Sequence, residues 1–131
     1  MTQKQIEIIL MRQLASYLAL PIFIVDPQGN LIFFNEPAEA LLGRTFDEAG
    51  EMPMSEWSTI FEQSDEHGNP LLPDELPLVK ALKTRRPAYR ALRIMGLDGV
   101  PRRLEVTAYP LEGQGGRLLG AAALFWMLDH E

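Results

Sequence analysis

Apolar residues recur every three or four positions near the start of the chain, which is the spacing of one helix face. No glycine or proline interrupts this pattern over residues 3–18, and the first proline follows at Pro21. The pattern predicts an amphipathic helix. Because an apolar stripe must be buried, we expect this helix either to fold onto its own domain or to pair with another copy of the chain.

A predicted hairpin and a short helix follow. Residues 22–25 and 31–34 are rich in β-branched and aromatic side chains, and a turn with proline and glycine separates them. Asn35 then stands where a helix cap belongs, and Gly43 marks the end of that helix. Residues 44–75 are irregular, and we expect Asp74 to cap a further helix over residues 75–85.

The last third of the chain predicts three strands, over residues 89–95, 102–111 and 118–128. Residues 118–128 are apolar on both faces, so this strand should be central and covered on both sides. A competing interpretation makes the segment a buried helix, because alanine favours helices. The element order predicts an α+β fold: a five-stranded antiparallel sheet with short helices on one face and the N-terminal amphipathic helix as the remaining cover.

Composition restricts the function classes. The chain has 131 residues, a net charge of −6 and no cysteine, which fits one domain without disulfides or thiolate chemistry. Residues 1–75 carry 13 acids and 3 bases, and residues 76–131 carry 5 acids and 9 bases. The overall charge argues against direct nucleic-acid binding. No apolar run is long enough for a membrane span and no secretory signal is visible, so we expect a cytoplasmic protein that is not in a membrane.

Several short motifs, in this order and spacing, resemble the PAS family of bacterial sensor and signalling domains. They run from about residue 18 to residue 129, nearly the whole chain. They are Asp26-x-x-Gly29, Asn35-x-x-Ala38-x-x-x-Leu42-Gly43, Gly68-Asn69-Pro70-Leu71, Asp74-Glu75-Leu76-Pro77-Leu78, Leu97-Asp98-Gly99, Ala108-Tyr109-Pro110-Leu111 and Gly116-x-x-x-Gly120. Family members often close with Asp-Ile-Thr, whereas here Asp129 is followed by His130 and Glu131.

The resemblance implies a domain over residues 21–131, preceded by a cap or dimerisation helix over residues 1–20. It implies a sensor that binds a small ligand or a signalling protein and mediates homodimerisation in two-component signalling or transcriptional regulation. One alternative is a constitutive protein-interaction module with a filled core and no ligand. A second alternative is a small α+β enzyme, but no catalytic motif is present, and the protein is not expected to be an enzyme.

The same resemblance limits the cofactors without identifying one. Members that form a covalent flavin adduct, or that carry a cysteine-linked chromophore, need a cysteine, and this chain has none. Haem-binding members use a histidine on the long helix, and residues 74–85 contain none. His67 and His130 have no second ligand at metal spacing, so neither haem nor a metal site is expected.

Two sets of site residues follow from alternation and resemblance. The first would line a ligand pocket between sheet and helices: Phe34, Leu41, Leu42, Trp57, Leu78, Leu82, Arg93, Leu104 and Val106. Arg93 could reach inward to an anionic ligand, but an arginine in the middle of a strand is more often exposed. The second would form the dimer contact on the N-terminal helix and the outer sheet face: Ile6, Leu10, Leu14, Tyr17, Leu18, Leu124 and Trp126. The pocket set would equally suit a solid core.

Overall fold

The computed structural model describes residues 3–127, without the side chains of residues 3–8 and of residue 11. Asp129, His130 and Glu131, where the chain departs from the closing motif of the family, therefore lie outside the described residues. Within residues 3–127, five strands and five α-helices follow one another. They are α1 (Gln3–Ser16), β1 (Ile22–Val25), β2 (Leu31–Phe34), α2 (Glu36–Leu42), α3 (Phe46–Ala49), α4 (Met54–Ile60), α5 (Pro77–Thr84), β3 (Ala88–Met95), β4 (Pro101–Glu112) and β5 (Leu118–Met127).

The strands form one antiparallel sheet in the order β2-β1-β5-β4-β3. β5 occupies its centre, pairing with β1 on one side and β4 on the other. The prediction of a central strand covered on both sides is confirmed, and the competing buried helix is wrong. Pairing on both sides supplies ladder partners for the backbone of β5, which outweighs the helix propensity of its alanines.

The main core lies between the sheet and helices α2 to α5. The aromatic side chains at its centre contact one another, with the ring of Phe23 5.5 Å from Phe34 and 5.3 Å from Phe125 between centroids. A smaller apolar cluster covers the opposite, outer face of the sheet, where Ala15 of α1 packs against Ile22, which is also buried. The N-terminal helix therefore lies on its own sheet, which is one of the two arrangements the sequence predicts.

The predicted caps are correct for α2 and wrong for α5. The side chain of Asn35 accepts from the Ala38 amide, and Gly43 ends α2 in the left-handed conformation. α5 begins after Leu76, without a side-chain cap. Asp74 lies in a preceding 3-10 turn, and its carboxylate accepts from Lys83 at 2.6 Å. The proline-rich stretch before α5 forms this extra turn, which moves Asp74 away from the helix start.

Candidate functional site

The space between the sheet and the helices is almost completely filled. An interior cavity of only about 30 Å³ lies there. It is lined mainly by apolar side chains: Phe23, Leu42, Trp57, Phe61, Gln63, Pro77, Leu78, Leu92, Ile94, Val106 and Phe125. Pockets for small molecules are typically about 300 Å³ or more. The described conformation is therefore that of a packed core.

The residues predicted for the pocket fall into three groups. Four of them line the cavity: Leu42, Trp57, Leu78 and Val106. Three are buried in the same core without lining the cavity: Phe34, Leu41 and Leu104. Leu82 packs against that core from a half-buried position.

Arg93 lies elsewhere, and an inward role for it is wrong for the described conformation. In β3 the buried positions are Leu92 and Ile94, so Arg93 projects to the other face and is exposed. Its backbone pairs with Ser64, through two hydrogen bonds of 2.9 Å, at the edge of the sheet. Arg93 borders an open surface cleft of about 500 Å³ between the segment after α4 and the ends of β3 and β4.

Sequence reasoning did not select several cavity residues. Leu92 and Ile94 alternate with exposed residues in β3, and this alternation was a usable signal. Gln63 carried no such signal, because it lies in an irregular segment. Its side-chain amide donates to the carbonyl oxygen of Trp57 at 3.0 Å, and Gln63 borders both the interior cavity and the surface cleft. It is the polar element of the wall between them.

Trp57 ties the helical layer to the first hairpin. Its indole Nε1 donates to the carbonyl oxygen of Gly29 at 2.8 Å, and its side chain is buried. Gly29 has a φ of +90, which glycine adopts without strain in the turn between β1 and β2. The cavity wall and the hairpin turn are thus held together by one buried hydrogen bond.

Several of the described apolar side chains of α1 and of the turn after it are exposed. Ile9 is 48% exposed, Leu10 58%, Leu14 64% and Tyr17 83%. Leu10 and Leu14 are four positions apart and share one face of α1, and Tyr17 follows in the turn after the helix. Ile6 belongs to α1, but its side chain is outside the described ones.

The other predicted dimer residues lie beside this stripe or on the uncovered part of the sheet. Leu18, just after α1, is 37% exposed. On β5, Leu124 is half-buried in the outer apolar cluster, and Trp126 is 39% exposed. These residues share the outer side of the molecule, away from the interior cavity.

The acidic side chains near the turns stabilise backbone structure. Asp65 accepts from the amides of His67 and Asn69, and the hydrogen bond from Asn69 is the main cause that lowers the pKa of its carboxyl group. Arg102 donates to the carboxylate of Asp98 and likewise lowers its pKa. A general acid needs a raised pKa, so these shifts have the wrong direction for that role.

Over residues 3–127 no helix is both long enough and apolar enough to cross a bilayer. Within the same residues, no three carboxylate or imidazole side chains gather as ligands for a metal ion.

Comparisons with known proteins identify the fold family. The family model described as PAS domain matches residues 19–126. The LOV protein of Rhodobacter sphaeroides is similar in structure, with a TM-score of 0.72 and 19% identity over 97% of this chain and 69% of that one. The PAS domain of Bordetella pertussis BvgS has a TM-score of 0.68 and 20% identity, covering 95% of this chain and 88% of that one.

A third similar structure is the PAS domain of nitrogen regulation protein NR(II) from Vibrio parahaemolyticus. Its TM-score is 0.63 and its identity 20%, over 91% of this chain and 98% of that one. A search of curated protein sequences found no match. PAS domains are sensory and signalling modules and are generally not catalytic. The sheet order, the helical layer and the family match over residues 19–126 show that this chain belongs to the PAS-domain family.

Proposed function

We propose that this PAS domain transmits signals through protein contacts, as a homodimer joined by α1 and the adjoining outer sheet face. The observation that carries the proposal is the uncovered apolar stripe of Leu10, Leu14 and Tyr17. Isolated exposed apolar side chains are common on proteins, but a contiguous row on one helix face usually marks a contact surface.

A second copy of the chain is the partner that fits this stripe best. In a two-fold symmetric contact the same patch meets itself, so an apolar stripe on one helix finds an identical apolar stripe on the other. Leu10 and Leu14 are one helical turn apart, a spacing at which side chains interlock between paired helices, and Tyr17 follows them in the turn after α1. Trp126 and Leu124 would extend the contact onto the sheet.

Dimerisation through the stripe is tested by introducing charge into it. Leu10→Glu combined with Leu14→Glu would bury four carboxylates in the two-fold contact, so we expect a dimeric protein to become monomeric. Gln28→Glu combined with Gln114→Glu adds the same charge at exposed positions away from the stripe and should leave the dimer intact. Light scattering after size exclusion measures both masses. A double variant that remains dimeric at micromolar concentration would contradict this interface.

The filled interior supports contact-based signalling over small-molecule sensing. A ligand would need the cavity of about 30 Å³ to expand roughly tenfold to reach the usual size of a binding pocket. Such expansion would displace packed aromatic side chains such as Phe23 and Phe61, which contact each other in the core. We therefore place the constitutive interaction module ahead of the ligand sensor.

Ligand sensing remains the second candidate because of Gln63. Gln63 and Ile94 border both the cavity and a surface cleft of about 500 Å³, so a movement of these two side chains is the route by which the two spaces could join. Native mass spectrometry of the protein as purified tests this candidate. A reproducible added mass that disappears on denaturation would favour the ligand sensor, and the bare chain mass would favour the interaction module.

Catalysis is not part of the proposed function. The carboxylates of Asp65 and Asp98 hold turns, and both of their pKa values are lowered. A hydrolytic or acid–base reaction would need a carboxylate in a pocket with the opposite shift.

A further inference from the structure

The side chain of Asn35 is buried at the point where α1, β1 and α2 meet. Its exposed fraction is 2%. Its Nδ2 donates to the carbonyl oxygens of Ala15 at 3.0 Å and of Leu20 at 2.9 Å. Its Oδ1 accepts from the backbone amides of Ile22 at 3.1 Å and Ala38 at 3.2 Å. Both donor hydrogens and both lone-pair directions of the amide are therefore used.

These four partners fix the orientation of the amide group. A reversed side chain would place two N–H groups against the amides of Ile22 and Ala38, and its oxygen against two carbonyl oxygens. That arrangement would lose all four hydrogen bonds in a buried place, where unpaired polar groups are costly. The two ends of Asn35 thus have different functions: the oxygen faces β1 and α2, and the nitrogen faces α1 and the segment behind it.

Asn35 satisfies helix ends on both sides. Ala38 belongs to the first turn of α2, whose amides have no partners within the helix, so the Asn35 oxygen is an N-cap. Ala15 belongs to the last turn of α1, and its carbonyl oxygen accepts from the backbone amide of Leu18 at 3.2 Å as well as from Asn35. One side chain therefore caps the start of α2 and bonds to the last turn of α1.

The remaining contacts between α1 and the sheet are small. Among the side chains of α1 that the structure describes, Ala15 alone is buried. A groove of about 80 Å³ remains between the helix and the outer face of the sheet. The guanidinium group of Arg12 adds a contact with the ring of Phe33, 4.9 Å from its centroid. Among the described side chains, the contact of α1 with the sheet is therefore limited, and the hydrogen bond from Asn35 to Ala15 adds to it.

We propose that Asn35 is a positioning residue that holds α1 on the outer face of its own domain and couples the place of α1 to the start of α2. A shift of α2 or of the first residue of β1 would move the amide and loosen its bonds to Ala15 and Leu20. Only the consequence for signalling rests on the proposed function, because a displaced α1 would alter the dimer contact. The four hydrogen bonds of the Asn35 side chain, here called the joint, do not themselves depend on dimerisation.

Two substitutions separate the two ends of the side chain. Asn35→Asp and Asn35→Ser both retain an oxygen that can cap α2, since Asp, Ser and Asn are comparable N-caps. Neither retains the nitrogen that reaches Ala15 and Leu20. Asn35→Ala removes both ends. The neutral Asn35→Ser keeps the test valid if a buried carboxylate prevents Asn35→Asp from folding.

Hydrogen exchange followed by mass spectrometry measures the outcome at each helix. We expect wild-type residues 9–20 to be protected, and Asn35→Ser and Asn35→Asp to lower that protection at least tenfold while residues 38–42 change less than threefold. Asn35→Ala should lower protection in both segments. Gln28→Glu, which adds one charge at an exposed position, is the control for Asn35→Asp and should change neither segment.

The measurement is repeated with Leu10→Glu and Leu14→Glu present, so that protection from a dimer contact does not mask the joint. Equal protection of residues 9–20 in wild type and in Asn35→Ser would overturn the proposal, as would an unprotected α1 in the wild type. If the chain is monomeric but Asn35→Ser still releases α1, the joint stands and the proposed dimer fails. If the chain is dimeric and α1 is unaffected, the reverse holds.

Discussion

A truncation in the core distinguishes a filled interior from an open ligand pocket. Leu78 lies on α5, lines the interior cavity and is 4% exposed. Leu82 lies one turn later on the same helix and is half-buried. Replacing either leucine by alanine removes the same three carbon atoms from the same helix. Any difference between the two losses in free energy of unfolding therefore reflects how tightly the surroundings pack against each side chain.

The expected cost of Leu78→Ala has two parts. Loss of three buried carbons costs about 2.5 kcal/mol at about 0.8 kcal/mol each. The deleted volume of roughly 80 Å³ adds about 2 kcal/mol if it stays empty, at about 24 cal/mol per Å³. Because the existing cavity is only about 30 Å³, the neighbours have little free space into which to relax. We expect a total of about 4 kcal/mol, against about 1–2 kcal/mol for Leu82→Ala.

Urea unfolding at equilibrium measures both costs, provided that the slope with denaturant is unchanged between variants. A domain of this size is typically stable by about 5–15 kcal/mol, so both variants should still fold. If Leu78→Ala costs no more than Leu82→Ala, the space under α5 is already open or hydrated. That result would refute the filled interior and favour the ligand sensor.

Three further predictions concern the sheet, the hairpin and acid stability. Gly120 has a φ of +144, and a Cβ added there would overlap the carbonyl oxygen of Val25, so Gly120→Ala should lower the free energy of unfolding by about 3 kcal/mol or more. Gly115→Ala, in open space, should lower it by about 1 kcal/mol. Equal losses in urea unfolding would contradict the close approach of Gly120 to Val25. Trp57→Phe removes the bond to Gly29 and should cost about 1–3 kcal/mol, and a neutral result would show that the bond contributes nothing. The hydrogen bond from Arg102 lowers the pKa of the Asp98 carboxyl group below its usual value of 3.8, so its stabilising effect is present above that pH and is lost as the pH falls through the folded-state pKa. The urea midpoint should therefore fall less in Asp98→Asn than in wild type between about pH 5 and pH 2.5, and equal falls would contradict this assignment.

The fold could be predicted largely because its strongest signals are local or periodic. The two apolar faces of β5 indicated its central place, and Asn35 was identified as the cap of α2. The prediction that Asp74 caps α5 was wrong because a capping residue type before a helix does not show where that helix begins. The structure places it in a separate turn, bound to Lys83.

The candidate site was less predictable because it depends on contacts between distant segments. Gln63 has no periodic neighbours, and only the folded chain brings it between the cavity and the cleft. The contact between Asn35 and α1 could not be predicted either, because the amide nitrogen of Asn35 bonds to Ala15, which lies twenty positions earlier in the chain. Arg93 could be placed on a strand, but which face it occupies depends on the register of β3.

The mass of the wild-type chain in solution tests the central claim most directly. Light scattering coupled to size exclusion, over a concentration series from low to high micromolar, compares the observed mass with the chain mass of 14.8 kDa. A mass of twice that value, returning to the chain mass in the Leu10→Glu, Leu14→Glu variant, is the result we expect. A wild-type chain that stays monomeric throughout the series would contradict signalling through an α1-mediated homodimer.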